Sequence, residues 1–142
     1  MTESKMVKTF KEKYGSETVI CVGDWSKHNH PKFHEPVKGI GLRRIFRKAG
    51  YQVFLVDEYR TSVRCSYCGE NNGICETFKK VKNPRFWRRV MQPEVVCHGL
   101  LKCTTCMRLW NRDVNASSNI WKIAASAIAG NDRPNYLKRN NN

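Results

Sequence analysis

Four cysteines carry the clearest chemistry in these 142 residues. Cys65-Ser-Tyr-Cys68 and Cys103-Thr-Thr-Cys106 are two C-x-x-C pairs that bracket 34 residues. Each pair presents two thiolates on one small turn, and two such turns close a tetrahedron around zinc with sulfurs at about 2.3 Å. Gly69, directly after Cys68, suits a knuckle whose backbone N–H groups point at sulfur. The long spacer is no obstacle, because each doubling of a loop costs only about 0.6 kcal/mol. The alternatives are a redox dithiol or chance buried cysteines, and two matched pairs favour the metal. Cys21, Cys75, Cys97 and His98 read as non-ligands: Cys21 falls in a strand pattern, Cys75 in a variable insert, and Cys97-His98 five residues before Cys103, beyond one knuckle. His28, His30 and His34 form a second cluster, but with no cysteine or carboxylate beside them they read as loop residues.

Carboxylates are scarce, so their positions carry weight. Asp24 follows one strand pattern, Asp57 and Glu58 end another, and Asp113 opens a helix pattern. Acids at the C-terminal ends of parallel strands, with one more from a packing helix, can hold Mg²⁺ for phosphodiester hydrolysis. The plainer readings are a helix-dipole acid at Asp113 and turn residues at Asp57 and Glu58. Spacing by itself leaves the two readings level.

The balance of charge points to a polyanion. Lys and Arg number 26 against 12 Asp and Glu, a net charge of +14. Each phosphate neutralised by such residues releases condensed counterions. Arg43, Arg44 and Arg47 share one helix face, and Arg85, Arg88 and Arg89 lie with Trp87 in a basic insert, a mixture suited to phosphate contact and base stacking. Trp87 reads slightly better as a core residue of the small cysteine-bearing domain. No basic amphipathic helix with a clean apolar face argues for a membrane surface, and no stretch has the length of a signal peptide or membrane span. The chain is expected to be intracellular, where thiols stay reduced; seven cysteines, an odd number, also fit four ligands plus spares better than a disulfide set.

The elements that must position these groups follow from periodicity. Residues 3–14 read as a short helix. Residues 17–22 (ETVICV) form a β-branched strand, expected to be buried on both faces. A loop rich in His, Pro and Gly occupies 27–40. Leu42, Ile45 and Phe46 at i, i+3, i+4 spacing give a helix that Ala49-Gly50 stops, and residues 51–56 (YQVFLV) give a second strand. Strand, helix, strand implies a parallel pair with a right-handed crossover. Paired cysteines and short strands fill 59–110. Residues 112–129 form the strongest helix pattern, capped by Gly130, and the polar stretch 131–142 reads as a disordered tail.

Four stretches, VGDWS (22–26), VDEYRTSVRCSYCG (56–69), HGLLKCTTC (98–106) and NRDVNASSNI (111–120), make the sequence resemble the C-terminal part of the TnpB and Fanzor transposon-encoded, RNA-guided nucleases. The resemblance runs from about residue 17 to 125. It implies an α/β fold: a partial RNase H-like (RuvC) core of two parallel strands and two helices (1–58 and 111–130) with an inserted small β zinc ribbon (59–110). It makes Asp113 the third-motif acid. Gly23 stands where the second acid commonly sits, and the Fanzor branch replaces that acid by a glutamate ending the next strand, here Glu58. Neighbouring strands lie about 4.8 Å apart, so the exchange keeps the same metal in reach. The first acid of such a core has no counterpart in residues 1–16. The expected function is therefore a zinc-binding, nucleic-acid-binding fragment of a DNA endonuclease that lacks full catalysis alone, with Mg²⁺ only in an assembled site. Expected partners are DNA, a guide RNA by resemblance, and a separate N-terminal nuclease half, in the nucleus of a eukaryotic host. The alternative is a stand-alone zinc-ribbon module, or a docking partner of another nuclease half.

Overall fold

The computed structural model describes residues 2–24, 39–85, 87 and 92–139 of the chain. They divide into two compact units, Met1–Asp57 and Glu58–Asn142. The first unit holds α1 (Glu3–Tyr14), β1 (Ile20–Gly23), α2 (Gly39–Lys48) and β2 (Val53–Val56). The strands pair in parallel, from Ile20 opposite Val53 to Gly23 opposite Val56, as the strand–helix–strand pattern predicts. Phe46, Tyr51 and Val53 form the buried centre, with Met6, Val7, Phe10, Ile20 and Val22 packed around them. Phe10 meets Phe46 and Tyr51 edge-on at centroid distances of 4.8 and 5.4 Å. The expectation of a strand buried on both faces does not hold. Every residue of β1 is half-buried, and Phe54 and Leu55 of β2 are exposed, because a two-stranded sheet has little to cover its second face.

The second unit contains two small antiparallel sheets. β3 (Cys75–Thr77), β6 (Leu100–Cys103) and β7 (Leu109–Asn111) form one, with β6 central. β4 (Lys80–Lys82) and β5 (Glu94–Val96) form a separate hairpin that carries the basic insert. Asn83 closes the hairpin's tip, donating to the Gln92 carbonyl at 2.8 Å and accepting from the Arg85 N–H at 2.9 Å. Trp87, read from sequence as a core residue, is 63% exposed: the hairpin presents it away from the cysteine-bearing sheet's buried cluster of Cys65, Cys75, Leu101 and Cys103.

β7 runs directly into α3 (Arg112–Ile128). Asn111 caps that helix, its Oδ1 accepting from the N–H groups of Asp113 and Val114 at 2.9 and 3.2 Å. Gly130, with φ of +74°, reverses the chain, and the Asn131 N–H reaches back to the Ser126 carbonyl at 2.9 Å. The expected disordered tail begins differently. Residues 135–137 make a turn of 3₁₀-helix, with Tyr136 buried and Leu137 fully so, and Arg133 donates to the Leu137 carbonyl at 2.7 Å. Two apolar side chains in a polar stretch are enough to dock it. Residues 140–142 lie outside the described residues, as do His28, His30 and His34. Among the described residues, no helix is long and apolar enough to cross a membrane.

Candidate metal centre

The two knuckles are built alike. In the first, the Gly69 N–H donates to the Cys65 carbonyl at 3.1 Å; in the second, the Met107 N–H donates to the Cys103 carbonyl at 3.1 Å. The residue after the second cysteine is left-handed in both, with φ of +54° at Gly69 and +60° at Met107. The N–H groups of Thr105 and Cys106 point at Cys103 Sγ, at 3.4 and 3.5 Å. Register explains how the turns meet: β6 ends on Cys103, and the Cys65 N–H bonds the Gly73 carbonyl at 2.9 Å just before β3.

The four sulfurs of Cys65, Cys68, Cys103 and Cys106 come within 4.8 Å of one another. Cys65 and Cys106 are 3.8 Å apart, and Cys68 and Cys103 are 3.7 Å apart. A tetrahedron with sulfurs about 2.3 Å from its centre has edges of about 3.8 Å, so the donor set fits a structural metal such as zinc. The electrostatics agree. Burial opposes ionisation of Cys65, but the Cys68 N–H, the Trp110 indole and the Tyr67 N–H outweigh it and bring the thiol down to about 6. Burial and the neighbouring thiols push Cys68 up to about 12. Several thiolates this close cannot all be charged without a cation between them.

Gly73 is a residue that spacing did not single out. A Cβ there would lie 2.7 Å from Cys68 Sγ and 2.9 Å from Cys103 Sγ, so only glycine lets the chain pass behind the cluster. Cys75 stands opposite Cys103 in the β3–β6 register and is buried, yet it is outside the four-sulfur group. Burial, then the nearby Cys65 and Cys103, push its thiol up to about 12.

A second support was also missed. Asn115 and Asn119, one turn apart on α3, are both 0% exposed. Asn115 Nδ2 donates to the carbonyls of Arg64, Ser62 and Thr61 at 2.8, 3.2 and 3.3 Å, and its Oδ1 accepts the Ser66 N–H at 2.9 Å. Asn119 Nδ2 donates to Thr61 and Arg64, each at 2.8 Å, and its Oδ1 accepts the Tyr136 hydroxyl at 2.9 Å. The pair therefore satisfies the loop leading into Cys65 and fixes the first knuckle on α3. The signal lay in sequence: two asparagines four apart are poor helix formers, and a helix that keeps them uses their amides.

The other sequence candidates are spread over both units. Asp113 is exposed in the first turn of α3. Glu58 is half-buried two residues beyond β2, its carbonyl accepting the Thr61 N–H at 3.1 Å. Asp24 follows β1, its N–H bonded to the Val56 carbonyl at 3.0 Å. On α2, Arg43 is half-buried, Arg44 exposed, and Arg47 donates to the Val53 carbonyl at 3.1 Å. Arg85 is exposed at the hairpin tip; Arg88 and Arg89 lie outside the described residues.

A parallel strand pair joined through a helix, followed by a four-cysteine ribbon bound to a capped helix, defines a small α/β protein with a structural metal centre. The family model described as Cas12f1-like, TNB domain matches residues 42–120. That is more than half of the chain, and the chain belongs to this family, a zinc-binding part of TnpB/Cas12f-type RNA-guided nucleases. The match runs from α2 through the ribbon to the middle of α3. No curated protein matches it.

Proposed function

We propose that these residues form the zinc-stabilised, nucleic-acid-binding segment of a Fanzor/TnpB-like DNA endonuclease. The four-sulfur cluster carries this reading, because its first knuckle is tied through Asn115 and Asn119 to the helix that begins at Asp113. The metal would be Zn²⁺, and it would hold the Tyr59–Ser66 loop against α3 as much as it holds the ribbon together. In this reading residues 1–58 and 111–130 belong to a RuvC-type, RNase H-like core and 59–110 are inserted in it. Glu58 and Asp113 supply two acids for Mg²⁺, which when bound activates water and stabilises the leaving oxygen. Both acids lie in the Glu58–Asn142 unit, which is consistent with a shared role.

Binding rather than cleavage is the activity proposed for this chain on its own, since two-metal hydrolysis needs more carboxylate than two residues supply. Arg43, Arg44, Arg47, Arg85, Arg88 and Arg89 would meet the phosphate backbone of DNA, or of a guide RNA, in the nucleus of a eukaryotic host. The test is a zinc measurement coupled to a binding titration. The expected result is one zinc per chain and an affinity for DNA that falls linearly with salt on logarithmic axes. Protein that purifies without zinc, or that binds equally at low and high salt, would overturn the proposal.

A further inference from the structure

Beside the metal centre lies an open groove of about 540 Å³ whose walls are aromatic. Tyr67 stands on one side, in the first knuckle between Cys65 and Cys68, and is 65% exposed. Trp121 of α3 stands on the other and is 68% exposed. Trp110 also lines the groove, half-buried, and its indole N–H donates to Cys65 Sγ at 3.3 Å, which fixes the ring to a metal ligand. The cations around it are equally well placed. The Arg108 guanidinium lies 4.0 Å over the Tyr67 ring and 5.8 Å from Trp110. Lys122 lines the groove while its ammonium donates to the Ser66 carbonyl. Ser117 and Ser118 complete the lining, and no carboxylate is among the residues that line it.

Exposed rings of this size are costly in water, and their surroundings select what would cover them. A cationic rim without carboxylates, in a chain of net charge +14, fits a polyanion. The flat faces of Tyr67 and Trp121 fit planar groups, and a nucleobase is the planar group that a polyanion carries. In a duplex both faces of each base are already stacked, so only an unpaired strand can offer a base to this groove. The geometry points to a single-strand site: an unstacked base enters between Tyr67 and Trp121, and Arg108 meets the adjoining phosphate. This rests on the nucleic-acid-binding reading above and adds to it the form of nucleic acid and the surface that reads it. Because Tyr67 and Trp110 are held by the cysteine cluster, the site exists only while the metal is bound.

The experiment compares the zinc-loaded chain with Trp121→Ala, Tyr67→Ala and Trp121→Phe, using a homothymidine oligonucleotide and a duplex of the same length. Trp121 and Tyr67 are exposed, so their loss should leave zinc content and circular dichroism unchanged. Each alanine variant should weaken single-strand binding about tenfold, with duplex affinity and the salt slope unaltered; the phenylalanine variant should keep most of the affinity. Single-strand binding that survives both alanine substitutions, or a loss shared equally by single strand and duplex, overturns the groove while leaving charge-driven binding intact. A wild-type chain that binds neither probe defeats the nucleic-acid reading itself. If sedimentation shows a dimer that Trp121→Ala converts to monomer, the groove is a protein contact and the inference is wrong.

Discussion

The two units of this chain are held together by opposite means. Met1–Asp57 relies on ring and aliphatic packing: Phe10, Phe46 and Tyr51 meet edge-on around Val53, and the polar tie at the centre is the Tyr51 hydroxyl to the Gly15 carbonyl at 3.0 Å. Glu58–Asn142 buries few large side chains. Its fully buried groups are Cys65, Cys103, Thr61, Asn115, Asn119 and Leu137. A segment that small cannot bury enough apolar surface to offset its conformational entropy, so it substitutes a metal and a polar network. The comparison teaches that burial by itself does not identify a core: the same low exposure is apolar contact in one unit and satisfied hydrogen bonding in the other.

Metal removal should separate the units most sharply. Structural zinc is worth on the order of 10 kcal/mol, so chelation, or Cys103→Ser, should abolish amide-exchange protection in β3, β6 and the Tyr59–Ser66 loop. Protection in β1 and β2 should persist. Retention of the ribbon's protection without metal would mean that its core is apolar after all.

Single substitutions sharpen the contrast at smaller scale. Phe46→Ala should cost about 3 kcal/mol through its cavity, lowering protection in the first unit while zinc content stays at one per chain. Asn115→Ala should cost about 2–3 kcal/mol in the second unit, because the carbonyls of Thr61, Ser62 and Arg64 and the Ser66 N–H lose a buried partner. Denaturant titration monitored separately in each unit checks both, and equal effects on the two units would blur the comparison.

The smallest effect lies between the knuckles. Met107 adopts a left-handed φ of +60° that suits glycine, as Gly69 does at the matching position. Met107 is exposed and loses little packing, so Met107→Gly should raise thermal stability by about 0.5 kcal/mol, whereas Gly69→Ala should lower it by about 1 kcal/mol. A stabilising Gly69→Ala would show that the two turns are not equivalent.

How much of this was legible depended on distance along the chain. The knuckles could be read because a C-x-x-C turn is complete within a few residues. The β1–α2–β2 unit could be read because each element shows its own period, and their succession implies parallel pairing. The contacts of Asn115 and Asn119 could not, since their partners lie 49 to 58 residues away. Neither could the docking of Tyr136 and Leu137, which depends on a cavity that α3 and the Tyr59–Ser66 loop create together. Trp87 shows the reverse error: an aromatic residue beside basic ones gave no clue to its side of the hairpin.

The sequence by itself therefore determined the ligand set, the parallel pair, the capped last helix and the basic character, each of which follows from local spacing or composition. Tertiary structure decided which asparagines hold the first knuckle, why Gly73 must lack a side chain, and that Tyr67, Trp110 and Trp121 face one groove. Those outcomes depend on chain segments far apart in sequence meeting at hydrogen-bond and van der Waals distance, and no local pattern encodes that meeting.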